Sequence, residues 1–418
     1  MKFNFPKVFD SINARVLIGN FMYLSILQGF QFLIPLIILP YLIGTVGISN
    51  YGLITFAMSL CLYFGALIQF GFGISATKEI ARIKEDHEKL EKVVSSTLTA
   101  SVFLALVSTV VFIFIMFTFE SLKMESRLYT ATMAYVVFNS LFPIWFFQGM
   151  EKMKYIAFFS AATSFIFLIS LVWFVKDEND YFLVPLLNAF AAFLTLSASL
   201  FFIRKEFCLK IKLSSWKEVK HVLKVGRPAF ITQLAPNLYN NSTTFLLGTY
   251  FNSTAVGVFS AARKIIDAVA SLAQILSKTF LPYFSRTLNN HQLFCKFMIG
   301  SGVLLTSIVF LFAENIVELL FGPKIPETAL YLKTMSVSVL FLFMMNTFGV
   351  NFLMIMGKEL LAQNIVIYSS IAVFFLGVYV IPMYGVMGAA VIVTLGRASI
   401  GILDFYYYTK FRNSINKN

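Results

Sequence analysis

Apolar stretches long enough to cross a lipid bilayer recur along almost the whole chain, and nothing else in the sequence constrains the fold as strongly. They lie near residues 20–43, 53–73, 94–117, 129–149, 156–175, 182–203, 228–251, 256–277, 297–313, 331–356, 362–382 and 388–408. Each is close to the roughly 20 residues with which an α-helix crosses about 30 Å of hydrocarbon. In lipid a backbone must satisfy its own hydrogen bonds, as a helix does. Composition agrees: 58% of the residues are hydrophobic and 13% charged, against about 45–50% and about 25% in soluble domains. The expected fold is an all-α integral membrane protein with about twelve transmembrane helices.

The formal net charge of +13 invites a nucleic-acid reading until the charges are placed. With both termini cytoplasmic, 25 of the 33 Lys and Arg fall in cytoplasmic segments, 5 in external ones and 3 within spans. That is the positive-inside bias of membrane insertion, and it accounts for the basic balance with no nucleic acid. Cys61, Cys208 and Cys295 are isolated, the first in a span and the others in predicted cytoplasmic loops. They point to neither a disulfide framework nor a metal site, and no cofactor is expected. His87, His221 and His291 are also assigned to cytoplasmic loops. The first apolar stretch is too long for a signal peptide and lacks a small-residue cleavage site, so it reads as the first membrane helix.

One span departs from the pattern. Residues 256–285, VGVFSAARKIIDAVASLAQILSKTFLPYFS, carry Arg263, Lys264 and Asp267 in their interior. At about 100° per residue, Ser260, Arg263, Lys264, Asp267, Ser271, Gln274 and Lys278 share one third of the helix circumference. A charge near the middle of a membrane helix costs roughly 2.5–3.5 kcal/mol on insertion scales, so such residues face a cavity, a partner or a substrate path. Asp267 lies one turn after Arg263 and three residues after Lys264. It reads as a structural ion pair with one of them or as an ion-responsive switch. Arg397 is the only cation of span twelve and lies seven residues before Asp404, too far along the helix for direct pairing. Span seven is polar for a membrane helix, with Gln233, Asn237, Asn241 and Thr244 on one stripe. Interhelical hydrogen bonding and cavity lining both fit it. Span one carries Gln28 and Gln31 near Pro35 and Pro40, which imply a kink.

The chain divides near its middle. Residues 1–203 and 228–418 each hold six spans, joined by a basic cytoplasmic linker at 204–227 that reads as a solvated hinge. Leu42-Ile43-Gly44-Thr45 and Tyr51-Gly52-Leu53 are echoed by Leu246-Leu247-Gly248-Thr249 and Val256-Gly257-Val258, an offset of 204 and then 205 residues. Two six-helix bundles related by a parallel repeat are a transporter signature. The segment TKEIARIKEDHEKLEKVV after span two reads as one helix with Glu85–Lys89 and Glu88–Lys92 pairs.

Gln69-Phe70-Gly71-Phe72-Gly73-Ile74-Ser75-Ala76-Thr77-Lys78-Glu79-Ile80-Ala81-Arg82 resembles the hallmark at the end of span two in Wzx-type O-antigen flippases. These belong to the multidrug/oligosaccharidyl-lipid/polysaccharide exporter superfamily. Pro143 to Met153, Leu319-Leu320-Phe321-Gly322-Pro323 and Tyr384-Gly385-Val386-Met387-Gly388 resemble further family segments in the same order. The resemblance implies a flippase of the bacterial inner membrane that moves a polyprenyl-pyrophosphate-linked oligosaccharide to the outer leaflet by alternating access. No nucleotide-binding motif stands out, so pumping is expected to use an ion gradient or the substrate gradient. It also implies a functional monomer among membrane lipids, working with a polysaccharide polymerase and chain-length machinery.

Arg263, Lys264, Lys278 and Arg397 are then the candidate pyrophosphate-binding cations. Asp267 is a coupling group or charge partner. Gln28, Gln31, Gln233, Asn237, Asn241 and Gln274 are candidates for sugar contact. Lys78, Glu79 and Arg82 would stand at the inner mouth, as interface anchors or gate contacts. A drug:cation antiporter on the same scaffold would favour cavity acids, and the cavity candidates here are mostly basic. A peptidoglycan-precursor flippase is not separated by charge. No Ser/His/Asp set, metal cluster or phosphate-cradling glycine loop points to an enzyme.

Overall fold

The computed structural model describes residues 12–284 and 291–415, with side chains except at 12–33, 35, 231–233, 235–240, 279, 281–283 and 413–415. All regular structure among the described residues is helical. The N-terminal part holds α1 (Ile12–Gln69), α2 (Phe72–Ile83), α3 (His87–Thr118), α4 (Glu120–Met124), α5 (Ser126–Leu141), α6 (Ile144–Gly149), α7 (Met153–Phe174) and α8 (Leu183–Glu206). The C-terminal part holds α9 (Trp216–Tyr250), α10 (Ser253–Phe284), α11 (His291–Leu311), α12 (Ala313–Phe321), α13 (Thr328–Met344) and α14 (Glu359–Ile415). A π-helical segment, Met345–Met354, continues α13. Eight helical stretches among the described residues are long and apolar enough to cross a membrane. The polar helices α9 and α10 are as long but are not among the eight.

Glycine sets the two sharpest bends. Gly47 in α1 (φ 81°) and Gly385 in α14 (φ 56°) leave helical geometry and turn each helix back, a backbone state that a side chain would strain. The outer surface is apolar: Phe114, Trp173, Leu311 and Phe375 are all more than half exposed, as a lipid-facing band requires.

Two sequence expectations change here. The segment after span two is two helices, broken at Lys84–Asp86. Asp86 caps α3, accepting from Lys89 N at 3.2 Å, and pairs with the Lys89 ammonium at 2.7 Å, which holds the Asp86 carboxyl below its usual range. Lys92 reaches Glu218 at 3.3 Å, so the pairs Glu85–Lys89 and Glu88–Lys92 do not form. The linker is likewise not a solvated hinge. Its ends are helical, and its extended middle lies along α3. The N–H groups of Lys210, Lys212 and Ser214 donate to Glu91 Oε2, Ser95 Oγ and Thr99 Oγ1, each at 3.2 Å. The registers match because two extended residues advance about 6.6 Å and four helical residues about 6 Å.

The two parts of the chain touch at both ends of α1's second arm. At the Gly47 end, Ser49 Oγ and Ser253 Oγ are 2.7 Å apart and Lys324 Nζ donates to Gly44 O at 3.2 Å. A Cβ on Gly52 would stand 1.7 Å from Ser253 O, and one on Gly257 would stand 2.3 Å from Ile48 O, so α1 and α10 cross in backbone contact. At the linker end, the rings of Phe70 and Phe230 stack with centroids 4.6 Å apart.

Candidate functional site

The centre of the C-terminal part is an ionic cluster on α10. Its apolar face, with Phe259, Ala262, Ile266 and Ala273, is wholly buried in the core shared with α1 and α13. The opposite stripe therefore turns away from that core, as the helical spacing requires. On it, Asp267 Oδ2 lies 3.5 Å from Arg263 Nε. From α14, Arg397 Nη2 donates to Asp267 Oδ1 at 2.5 Å, and Nη1 donates to Ser338 Oγ of α13 at 3.0 Å. The Arg397 side chain is 5% exposed, against 33% for Asp267 and 15% for Arg263. Arg397 is thus a buried brace that ties α10, α13 and α14 together through Asp267. Arg263 and Asp267 form its partly open face. Lys264 is exposed beside them, and Lys278 is exposed about 21 Å further along the helix at 1.5 Å per residue. Ser260 and Ser271 on the same stripe are buried.

The remaining candidates divide by place. Gln274 and Asn241 are half-buried on α10 and α9. The side chains of Gln28, Gln31, Gln233 and Asn237 lie outside the described residues. Lys78 and Arg82 are exposed on α2 and Glu79 is half-buried, with no ion pair within 4 Å among the described residues. Among the described residues no group of three His, Cys, Asp or Glu side chains is placed to hold a metal. A cavity of about 440 Å³ between α5 and α8, lined by Arg127, Thr130 and Leu186, contains none of the sequence-predicted residues.

Sequence reasoning missed three things. Asp267 does pair with Arg263 of its own helix at 3.5 Å, but the shorter contact from Arg397, 130 residues away in the chain, was not foreseen. Sequence reasoning placed His291 and Cys295 in a loop, whereas both are buried in α11, His291 Nδ1 lying 3.3 Å from Cys295 Sγ. It also passed over Asn351, which is wholly buried and bonded to Ser277 of α10. The Arg397–Asp267 and Asn351–Ser277 contacts leave no periodic signal, because each joins helices remote in sequence.

The sequence matches the polysaccharide biosynthesis protein family over residues 17–288. A protein of Escherichia coli K12 named "Putative O-antigen transporter" is 26% identical over 349 residues, 81% of this chain and 83% of its own length. Among solved structures, the lipid II flippase MurJ in an inward closed conformation superposes with a TM-score of 0.72 at 15% identity, covering 94% of this chain and 87% of that one. An inward-facing multidrug resistance MATE family transporter of the MOP superfamily gives 0.67 at 16% identity, covering 92% and 96%. At such identities the structural likeness establishes the fold alone, the all-helical membrane fold these structures share.

Proposed function

The chain belongs to the polysaccharide biosynthesis protein family, and from that membership together with the cationic stripe of α10 we propose that it is a flippase for a lipid-linked oligosaccharide. It is a multi-pass protein of the bacterial inner membrane. We read its helices as twelve crossings: the eight apolar stretches, with α1 and α14 each counted twice at their glycine bends, and α9 and α10. Both termini are cytoplasmic. The linker end then faces the cytoplasm and the Gly47 end faces outward. The facing of Gly52 and Gly257 across the α1–α10 crossing supports a repeat with an offset of 205 residues.

The observation that carries the reading is the charge of the α10 centre. Arg263, Lys264 and Arg397 outweigh Asp267 and leave two positive charges at mid-helix. A diphosphate-linked lipid brings negative charge to such a centre. Arg263 binds phosphate oxygens in a planar fork and Lys264 adds a mobile point charge. Arg397 acts as a positioning residue, because its guanidinium already spans Asp267 and Ser338. Lys278 meets the headgroup nearer the cytoplasm. Asn241 and Gln274, with Gln28, Gln31, Gln233 and Asn237, offer amides to sugar hydroxyls, while the polyprenyl tail stays in lipid. Substrate crosses as the two bundles rock about this centre and open to each side in turn. The names of the relatives, an O-antigen transporter and a lipid II flippase, support a saccharide carried on a lipid.

Arg263→Ala tests the site. Cells relying on the variant should accumulate normal amounts of protein and flip at least tenfold less lipid-linked oligosaccharide. Normal flipping at wild-type protein levels would remove Arg263 from the site.

A further inference from the structure

The described part of the C-terminal bundle buries a second acid that the cationic centre does not use. Asp404 of α14 is 3% exposed, and its Oδ1 finds no hydrogen-bond partner among the described residues. It joins none of their ion pairs. What it meets is backbone. A Cβ on Gly349 would stand 2.5 Å from Asp404 Oδ2, so a glycine is what lets the carboxylate lie against the chain. Gly349 sits inside the π-helical segment Met345–Met354. A π turn shifts carbonyls away from their regular partners, and such turns concentrate at functional sites.

The same turn is fastened to α10. Asn351 Nδ2 donates to Ser277 O at 3.0 Å, the Ser277 hydroxyl donates to Asn351 Oδ1, and His291 Nε2 lies 3.2 Å from Asn351 O. Among the described residues no charged group pairs with Asp404. The π segment has no titratable side chain. From α11 come His291 and Cys295, and on α14 Tyr408 lies 3.8 Å from Cys295 with Arg412 beyond it. Arg397 is committed to Asp267 and Ser338. Lys278 of α10 and Lys224 and Arg227 of α9 make no ion pair with Asp404, and Lys333 of α13 pairs with Glu314. A bare carboxylate with neither donor nor counter-ion does not persist inside a membrane bundle.

We propose that Asp404 is a binding site for a monovalent cation, a proton or a sodium ion, held between its carboxylate and the π-turn backbone at Gly349. As a coupling site for transport it rests on the flippase reading; as a cation site it stands alone.

The test uses purified full-length protein without oligosaccharide, so its failure is separate from failure of the flippase reading. Infrared spectra in the carboxyl region and melting curves in sodium chloride against choline chloride are compared for wild type, Asp404→Asn and Asp267→Asn. A proton at Asp404 gives a protonated-carboxyl band that Asp404→Asn loses. A sodium ion gives a melting temperature raised by sodium over choline, a rise that Asp404→Asn loses. Asp267→Asn keeps whichever signature the wild type has. If Asp404→Asn does not accumulate, Gly349→Ala replaces it, since the added methyl displaces the carboxylate and should abolish the same signature. Neither signature in the wild type, or one that survives both Asp404→Asn and Gly349→Ala, overturns the proposal.

Discussion

Among the described residues, α1–α8 bury no charged side chain, whereas α9–α14 bury His291, Arg397 and Asp404 and half-bury Arg263 and Asp267. Several buried hydroxyls of the first part bond within their own helix. Ser101, Thr132 and Thr195 each donate to a carbonyl four residues back on their own helix. Bonds of this kind stay within one helix, although Thr195 also accepts from Thr163 of α7 at 2.9 Å. The ions of the second part bond between helices: Asp267 meets Arg397 of α14, and Arg397 meets Ser338 of α13. Charges at membrane depth are expensive and mark function. Among the described residues, buried ionisable groups are thus concentrated in α9–α14, the part that holds the proposed site.

The largest effect should come from removing the brace. Arg397→Ala leaves Asp267 with Arg263 as its ion-pair partner at 3.5 Å. Breaking a buried pair costs about 3–5 kcal/mol, and the partial exposure of Asp267 places the loss near about 3 kcal/mol. Thermal unfolding should show that loss, and Arg397→Ala with Asp267→Ala should recover part of it. Equal melting temperatures for the single and double variants would show that the pair is not the unit. A smaller effect belongs to the first part and acts through shape. Gly52→Ala drives a methyl into Ser253 O, so the α1–α10 crossing must part. Disulfide trapping between Ser49→Cys and Ser253→Cys should become severalfold slower in that background. Gly300→Ala, which meets nothing within 4 Å, should leave trapping unchanged. The smallest effect is expected at the surface pair Glu314–Lys333, 2.6 Å apart. The Lys333 ammonium holds the Glu314 carboxyl below its usual range. Whatever the pair contributes is present above the ordinary glutamate pKa and lost as pH falls through the lowered one. It is exposed and screened, so Glu314→Gln should melt with wild type at neutral pH.

The scaffold was far more legible in the sequence than the site. Span length and hydropathy are local properties, so the apolar helices could be located in the chain, although α3 and α9 begin seven and twelve residues before the expected spans, and Gly385 fell in a predicted turn. The stripe on α10 was legible for the same reason, since seven positions share a face by spacing alone. The Arg397–Asp267 contact, the Asn351–Ser277 bond and the burial of His291 join separate helices, and nothing in the spacing of one segment announces them. The strap of residues 210–214 on α3 was hidden differently: its bonds use backbone N–H groups, which every sequence carries. Asp404 was visible as a charge in a span, but that its Oδ1 meets no partner among the described residues is a property of the packed bundle.

The central claim is tested most directly by finding which leaflet holds the lipid-linked oligosaccharide. Intact cells with and without this chain are labelled from outside with a membrane-impermeant, sugar-specific reagent, and the labelled lipid-linked pool is measured against the total. Loss of the chain should leave the total pool intact or enlarged while its outward-labelled fraction collapses, and restoring the chain should restore labelling. Unchanged labelling in cells lacking the chain would contradict the account, whatever the charge on α10.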